Sequence, residues 1–297
     1  MGKVHEALKR AEREKQPIFS PFGSEGREAR SAAVAAARKK SDEFDFVDYS
    51  LNSPAAAELD RAVAVEDQPD SDFTQHSARR PAREFDLDVT RIDPHLVAFY
   101  DFDPRASEQY NKLAAAMISS STERRLKRVM VASATSGEGR TCVMLNLACA
   151  LASAKQRVLV VDTDLYKPSV ARLLGVEAEV GMAEAVAQET RAVDAAINVR
   201  PHGFAVLPTR ERVDNSAQLL ASPVFRNMLD GFDVDYDFIL FDSPPLLGSG
   251  ESSLLRRYCD ATLMVIRSGK TSSKQLEKAI SSFNEDNIVG VVINRAA

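Results

Sequence analysis

The chain of 297 residues has no tryptophan and only three cysteines. Cys142, Cys149 and Cys259 are odd in number, lie in apolar runs and lack the paired spacing of a zinc site. They exclude a disulfide scaffold and suit small core residues in a reducing compartment. Long apolar runs are missing too. No stretch approaches the roughly 18–20 apolar residues that a transmembrane helix needs, and the N-terminus lacks a signal-peptide core. The Met-Gly start has Glu6 where N-myristoylation takes Ser or Thr. The expectation is a cytosolic protein, with any work at a membrane done through a partner. A net charge of −5 leaves no basic footprint for nucleic acid.

The most informative stretch runs from Lys127 to Ala154. Val129, Met130 and Val131 form a short apolar run of the kind that makes a buried parallel strand. Val143, Leu145, Leu147, Ala148 and Leu151 then keep most faces of a helix apolar, which predicts a helix sandwiched between layers. Between them lies Ala134-Thr135-Ser136-Gly137-Glu138-Gly139-Arg140-Thr141, a loose match to the phosphate-binding pattern G-x-x-x-x-G-K-[ST]. Gly137 and Gly139 permit a tight turn with N–H groups facing inward, and the following helix N-terminus adds partial positive charge. Ala134 replaces the first glycine and Arg140 replaces the lysine.

Before this stretch order is sparse. Residues 1–16 read as a short basic helix, with Val4, Ala7, Leu8 and Ala11 on one face and Pro17 as its stop. Residues 17–94 show no sustained periodicity and predict a long disordered charged arm. Residues 1–40 carry ten Lys/Arg against five Asp/Glu, and residues 41–94 carry five against fourteen, so the charge is segregated into blocks. From residue 95 onward the sequence reads as one domain. Residues 94–100 predict an extended entry segment and 105–119 a helix. After the loop unit, Gln156 through Asp162 predicts a second buried strand, ending in the carboxylate pair Asp162 and Asp164. Helices are expected near 169–174, 181–188, 216–232 and 272–284. Strands are expected at 204–207, 238–241, 262–266 and 288–293, and Asp242 follows four apolar residues as a Walker-B carboxylate does. This alternation predicts an α/β fold, a doubly wound, mostly parallel sheet with helices on both faces.

Several motifs in one order resemble the cytoplasmic domain of bacterial tyrosine kinases. This is the BY-kinase family of capsule and exopolysaccharide systems, built on the MinD/ParA-like branch of P-loop ATPases. Ser136-Gly137-Glu138-Gly139-Arg140-Thr141 resembles its P-loop, and Val160 through Pro168 its second, A′ motif. Asp242-Ser243-Pro244-Pro245 resembles its Walker B, Asn215 through Leu220 its N-P-x-E-L-L turn, and Asp260 through Thr271 its late strand and loop. The resemblance implies ATP and Mg²⁺ as cofactors. Ser136, Gly137, Glu138, Gly139, Arg140, Thr141 and Cys142 would form the nucleotide cradle. Thr141, Asp162 and Asp242 would hold the metal. Asp162, Asp164 and Arg140 would serve catalysis, one of the two carboxylates taking the proton of an attacking tyrosine. The implied partner is a membrane polysaccharide co-polymerase or chain-length determinant protein, with a homo-oligomer as a further expectation.

The sequence also departs from that pattern. Arg140 stands for lysine, Tyr166 for the A′ arginine, and Glu251 for the aspartate after Pro-Pro. Glu108 of the oligomer-forming E-x-x-R-x-x-R helix remains, but Asn111 and Ala114 replace its arginines. The family's tyrosine-rich tail is missing, and Tyr258 is the last tyrosine; Tyr49, Tyr100 and Tyr110 are alternative acceptors. Three readings follow. One is an autokinase-like ATP-binding protein of polysaccharide biosynthesis or export with weakened phosphotransfer. Another is a non-catalytic adaptor that regulates the co-polymerase. The most remote is a MinD/ParA-type positioning ATPase, against which stands Thr135 where those relatives carry an early lysine.

Overall fold

The computed structural model describes residues 83–100, 104–123, 125–188, 192–281 and 287–294. The basic helix expected over 1–16 and most of the arm lie outside these residues.

Eight strands form one sheet. In chain order they are β1 (Arg83–Asp86), β2 (Arg128–Ser133), β3 (Val158–Asp162), β4 (Ile197–Arg200), β5 (Phe204–Leu207), β6 (Phe238–Asp242), β7 (Ala261–Arg267) and β8 (Ile288–Asn294). Their spatial order is β1-β4-β5-β3-β6-β2-β7-β8. Every neighbouring pair is parallel except β4 and β5. The expected doubly wound α/β architecture is present.

Strands β2, β3 and β6 are apolar almost throughout because both faces of the sheet are covered. Alternate residues feed two cores. Val129, Val131, Val160 and Leu240 join the core on the side of α1 (Pro104–Glu123) and α2 (Arg140–Ser153). Met130, Ala132, Val161 and Phe241 join the other, under α7 (Pro223–Asp235) and α9 (Ser273–Ser281). The shorter helices are α3 (Val170–Leu174), α4 (Met182–Ala187), α5 (Ala192–Ala195), α6 (Ser216–Leu220) and α8 (Glu251–Leu255). Among the described residues, no helix is long and apolar enough to cross a membrane.

Three local departures have physical reasons. The helix expected over 216–232 is two helices, α6 and α7, because Pro223 cannot donate to the preceding turn. Ser222 instead starts a new helix, its hydroxyl accepting from Phe225 N at 3.1 Å. The entry segment is not extended: Asp93 accepts from His95 N at 3.0 Å, and a 3₁₀ turn follows over Val97–Phe99. Finally, residues 83–86, within the span 17–94 read as an arm, form a strand. Arg83–Asp86 pairs in parallel with β4 and Leu87 N donates to Arg200 O at 2.9 Å. This strand is short, charged and at the sheet edge, as edge strands commonly are, and so lacks the apolar run that betrays a central strand.

Candidate nucleotide site

Strands β3, β6 and β2 lie side by side, and their carboxyl ends form one rim. Asp162 is in register with Asp242 across β3 and β6, and Asp242 with Val131 across β6 and β2. The loop after β2 leaves from the same rim, where open α/β sheets bind ligands.

That loop is shaped by its glycines and held from outside. Gly137 and Gly139 have φ of 77° and 86°, and Gly139 is the N-cap of α2. The Glu138 carboxylate is buried and accepts from Thr135 N at 3.2 Å, Thr135 Oγ1 at 2.8 Å and Thr271 Oγ1 at 2.6 Å. Lys270 Nζ donates to the carbonyls of Ser136 and Gly137, Arg267 Nη1 to Gly137 O, and Asn294 Nδ2 to Glu138 O. A loop whose carbonyls are bonded outward can offer its N–H groups to an anion.

Arg140, the first residue of α2, does not extend along the loop. Its guanidinium, 8% exposed, lies among the carboxylates at the rim. Nε donates to Asp242 Oδ1 at 2.9 Å, Nη2 to Asp164 Oδ2 at 2.9 Å and Nη1 to Ser133 Oγ at 3.1 Å. Thr141 Oγ1 donates to Asp242 Oδ2 at 2.7 Å and itself accepts from Ser169 Oγ at 3.1 Å. Asp162 accepts from the backbone N–H groups of Ser169 and Val170 at 3.0 Å and of Asp164 at 3.3 Å. Asp164 Oδ1 accepts from Lys167 N at 3.0 Å.

The electrostatics follow from this crowding. Burial first, then the neighbouring Asp242 charge, pushes the Asp162 carboxyl well above the usual range. Burial also raises Asp164, against the pull of Arg140. Burial opposes the charge on Arg140, but Asp242 and Asp164 outweigh it and raise its pKa above the ordinary arginine value.

The fold therefore brings Arg140, Thr141, Asp162, Asp164 and Asp242 together, with Ser136 to Gly139 forming the adjoining loop. The Cys142 side chain packs against the core on the α1 side, and burial pushes its thiol up to about 12. Glu251 accepts from Ser216 Oγ and Ser249 Oγ at 2.8 and 2.6 Å, apart from the carboxylate cluster. Ser133, Ser169, Arg267, Lys270, Thr271 and Asn294 complete the surroundings and were not singled out as site residues by sequence reasoning. Their signal was position: all lie at or just beyond the carboxyl ends of parallel strands.

Thr141, Asp162 and Asp242 supply the hydroxyl and carboxylate oxygens that a hard divalent cation takes. In this structure the Arg140 guanidinium bonds Asp242 Oδ1 and Asp164 Oδ2, which sets a fixed positive charge where such an ion would approach. Among the described residues no group of three His, Cys, Asp or Glu side chains is arranged to hold a metal ion. Beside the cluster opens a cleft of about 260 Å³ lined by Ser136, Asp164, Tyr166, Lys167, Pro245 and Glu251. The Arg212 guanidinium stacks 3.9 Å from the centre of the exposed Tyr166 ring.

Comparison with known proteins agrees with this geometry. Residues 125–297 match the ParA family model described as NUBPL iron-transfer P-loop NTPase. The tyrosine-protein kinase YwqD of Bacillus subtilis is 28% identical over 207 residues, 69% of this chain and 87% of that protein. The tyrosine-protein kinase wzc of Salmonella typhi is 29% identical over 168 residues, 56% of this chain but only 23% of that protein. Among solved structures, the kinase domain of the Escherichia coli tyrosine kinase ETK superposes with a TM-score of 0.62 at 26% identity. It covers 70% of this chain and 83% of that one. With a glycine turn after β2 and carboxylates at the ends of β3 and β6 on one rim, the chain belongs to the ParA family of P-loop NTPases, and its relatives include bacterial tyrosine-protein kinases.

Proposed function

We propose that this chain is a tyrosine-autokinase-like, ATP-binding protein of exopolysaccharide or capsule biosynthesis, working beside a membrane polysaccharide co-polymerase, with phosphotransfer weakened. Support for the pathway comes from the relatives; support for the chemistry comes from the site. The N-terminus of the 14-residue helix α2 and the backbone of residues 137–141 would hold the β- and γ-phosphates. Asp164 lines the cleft where an acceptor hydroxyl would approach, and its raised pKa suits a general base.

The observation that carries the weakening is Arg140, whose guanidinium bonds both Asp164 and Asp242. A base already accepting a charged hydrogen bond is poorly disposed to take a proton. Positioned charge at a transferring phosphoryl group is typically worth about 10²–10³-fold in rate, so its diversion is expected to reduce turnover by that order. The same observation favours a second reading, an adaptor that binds nucleotide without turnover.

Transfer of labelled γ-phosphate from ATP, measured for the native chain, Arg140→Lys and Asp164→Asn, tests the proposal. Expected are slow transfer by the native chain, faster transfer by Arg140→Lys and none by Asp164→Asn. ATP binding with no transfer in any of the three leaves the adaptor. Absence of ATP binding in both the native chain and Arg140→Lys rules out both readings.

A further inference from the structure

Outside the loop, three features compete for explanation: the Tyr166–Arg212 stack over the cleft, the buried Cys149 beside His202, and the guanidinium of Arg140 inside the carboxylate cluster. The third is bound by the most specific geometry. Three nitrogens of one side chain meet three acceptors on β2, on β6 and just after β3. Two of these acceptors are carboxylates, Asp242 and Asp164, on adjacent strand ends. The third carboxylate, Asp162, is served by three backbone N–H groups. The cluster is thereby closed by groups of the chain itself.

From this geometry we infer that Arg140 is a tethered cation that stands in for the divalent cation at this site, so that the chain binds nucleotide phosphates without metal. The inference rests on the nucleotide-binding reading above. Its physical basis is competition for the same oxygens. A divalent cation entering through Asp242 and Thr141 meets carboxylate oxygens that already accept from Arg140 Nε and Thr141 Oγ1, and so competes with both donors. It must also approach the Arg140 guanidinium, whose side chain is only 8% exposed, so that two positive charges meet with little water to screen them. Displacing one partner of a buried charge pair is unfavourable because the other charge stays desolvated. A free ion competes against a group that the chain already holds in place, which puts the ion at an entropic disadvantage. Lysine cannot act in the same way: its single ammonium cannot reproduce a planar fork that spans Asp242, Asp164 and Ser133.

The test uses the whole chain of 297 residues and two probes, ATP and Mn²⁺. In calorimetric titrations, the native chain is expected to bind ATP with affinities in EDTA and in excess Mg²⁺ that agree within about threefold. Paramagnetic resonance of Mn²⁺ is expected to show no ion bound by the nucleotide-free native chain. In Arg140→Lys, Mg²⁺ is expected to tighten ATP binding at least about tenfold, and Mn²⁺ to bind. Native binding that tightens tenfold with Mg²⁺, or native uptake of Mn²⁺ without nucleotide, overturns the inference and leaves the nucleotide-binding reading intact. Failure of both proteins to bind ATP under either condition defeats both. Circular dichroism of Arg140→Lys, with Arg140→Gln as a second variant, establishes that any loss of binding is not unfolding.

Discussion

At position 140 a lysine would offer one compact ammonium, whereas the planar fork of the arginine spans Asp242, Asp164 and Ser133 together. Gly139 shows the opposite constraint, a residue that tolerates no side chain at all. Its φ of 86° is unfavourable for an L-residue, and a Cβ there would run into the Asn294 side chain. Gly203, with φ of 73°, has nothing within 4 Å of the corresponding point. Gly139→Ala is therefore expected to lose about 1–3 kcal/mol for the backbone alone, plus the collision, and Gly203→Ala only the backbone part. Urea unfolding of both variants measures the difference. Equal losses would mean that Asn294 moves aside and does not pin the loop. Glycine spacing was legible in the sequence, but the reason for the second glycine was not, since Asn294 lies 155 residues further along the chain.

Among the elements, α2 is more than a buried cylinder, because it carries a polar residue that fastens the entry segment. Asn146 is fully buried; its Oδ1 accepts from Ala98 N at 2.8 Å, and its Nδ2 donates to His95 O at 3.1 Å and Cys142 O at 2.9 Å. Replacing it by leucine keeps the volume and strands buried backbone groups of residues 95–98. The expected loss is about 1–3 kcal/mol for each group left unpaired, read as a lower denaturant midpoint with unchanged slope. A loss under about 0.5 kcal/mol would show that the segment finds other partners. The sequence marked α2 as an apolar helix but gave Asn146 no role, because its partners come from a turn that periodicity reads as extended chain.

The same entry segment carries a pH dependence. The hydrogen bond with Asp93, 2.8 Å from His95 Nδ1, raises the His95 pKa against the effect of burial. Burial opposes, but the bonds with His95 outweigh it and hold the Asp93 carboxyl below its ordinary value. A raised histidine stabilises the fold fully below its unfolded value of 6.5 and loses that contribution as pH rises through the folded value. The lowered aspartate contributes above 3.8 and loses its share as pH falls through its own folded value. With the histidine more than half exposed, the effect is expected to be no more than about 0.5 kcal/mol. Stability of the native chain relative to His95→Gln should therefore be greater at pH 6 than at pH 8.5. A difference that is flat between those values would remove the charged pair from the account.

For the whole molecule, the segment from residue 83 to residue 96 matters more than any one side chain. β1 covers the outer edge of β4, and Arg200 ties it further through Glu84 and Asp86. Ile92 and Leu96, 4% and 0% exposed, pack into the core on the α1 side. A chain that begins at residue 95 is expected to be at least about 2 kcal/mol less stable than one that begins at residue 83, from the loss of Ile92 burial and the edge strand. It is also expected to associate through the uncovered β4 edge. Thermal unfolding with light scattering of the two chains measures both effects, and matching midpoints would return residues 83–94 to the arm.

The sequence by itself determined the α/β class, the central strands and the carboxylates at their ends. Each of these is written locally, in apolar runs that end at a charged residue and in glycines that permit one turn. Tertiary structure decided what those residues do to one another. Arg140 and Asp242 are 102 positions apart in the chain, and only the register of β3, β6 and β2 places them at 2.9 Å. Whether an arginine faces phosphate or carboxylate is a question of distance, and sequence spacing carries no distance across a sheet.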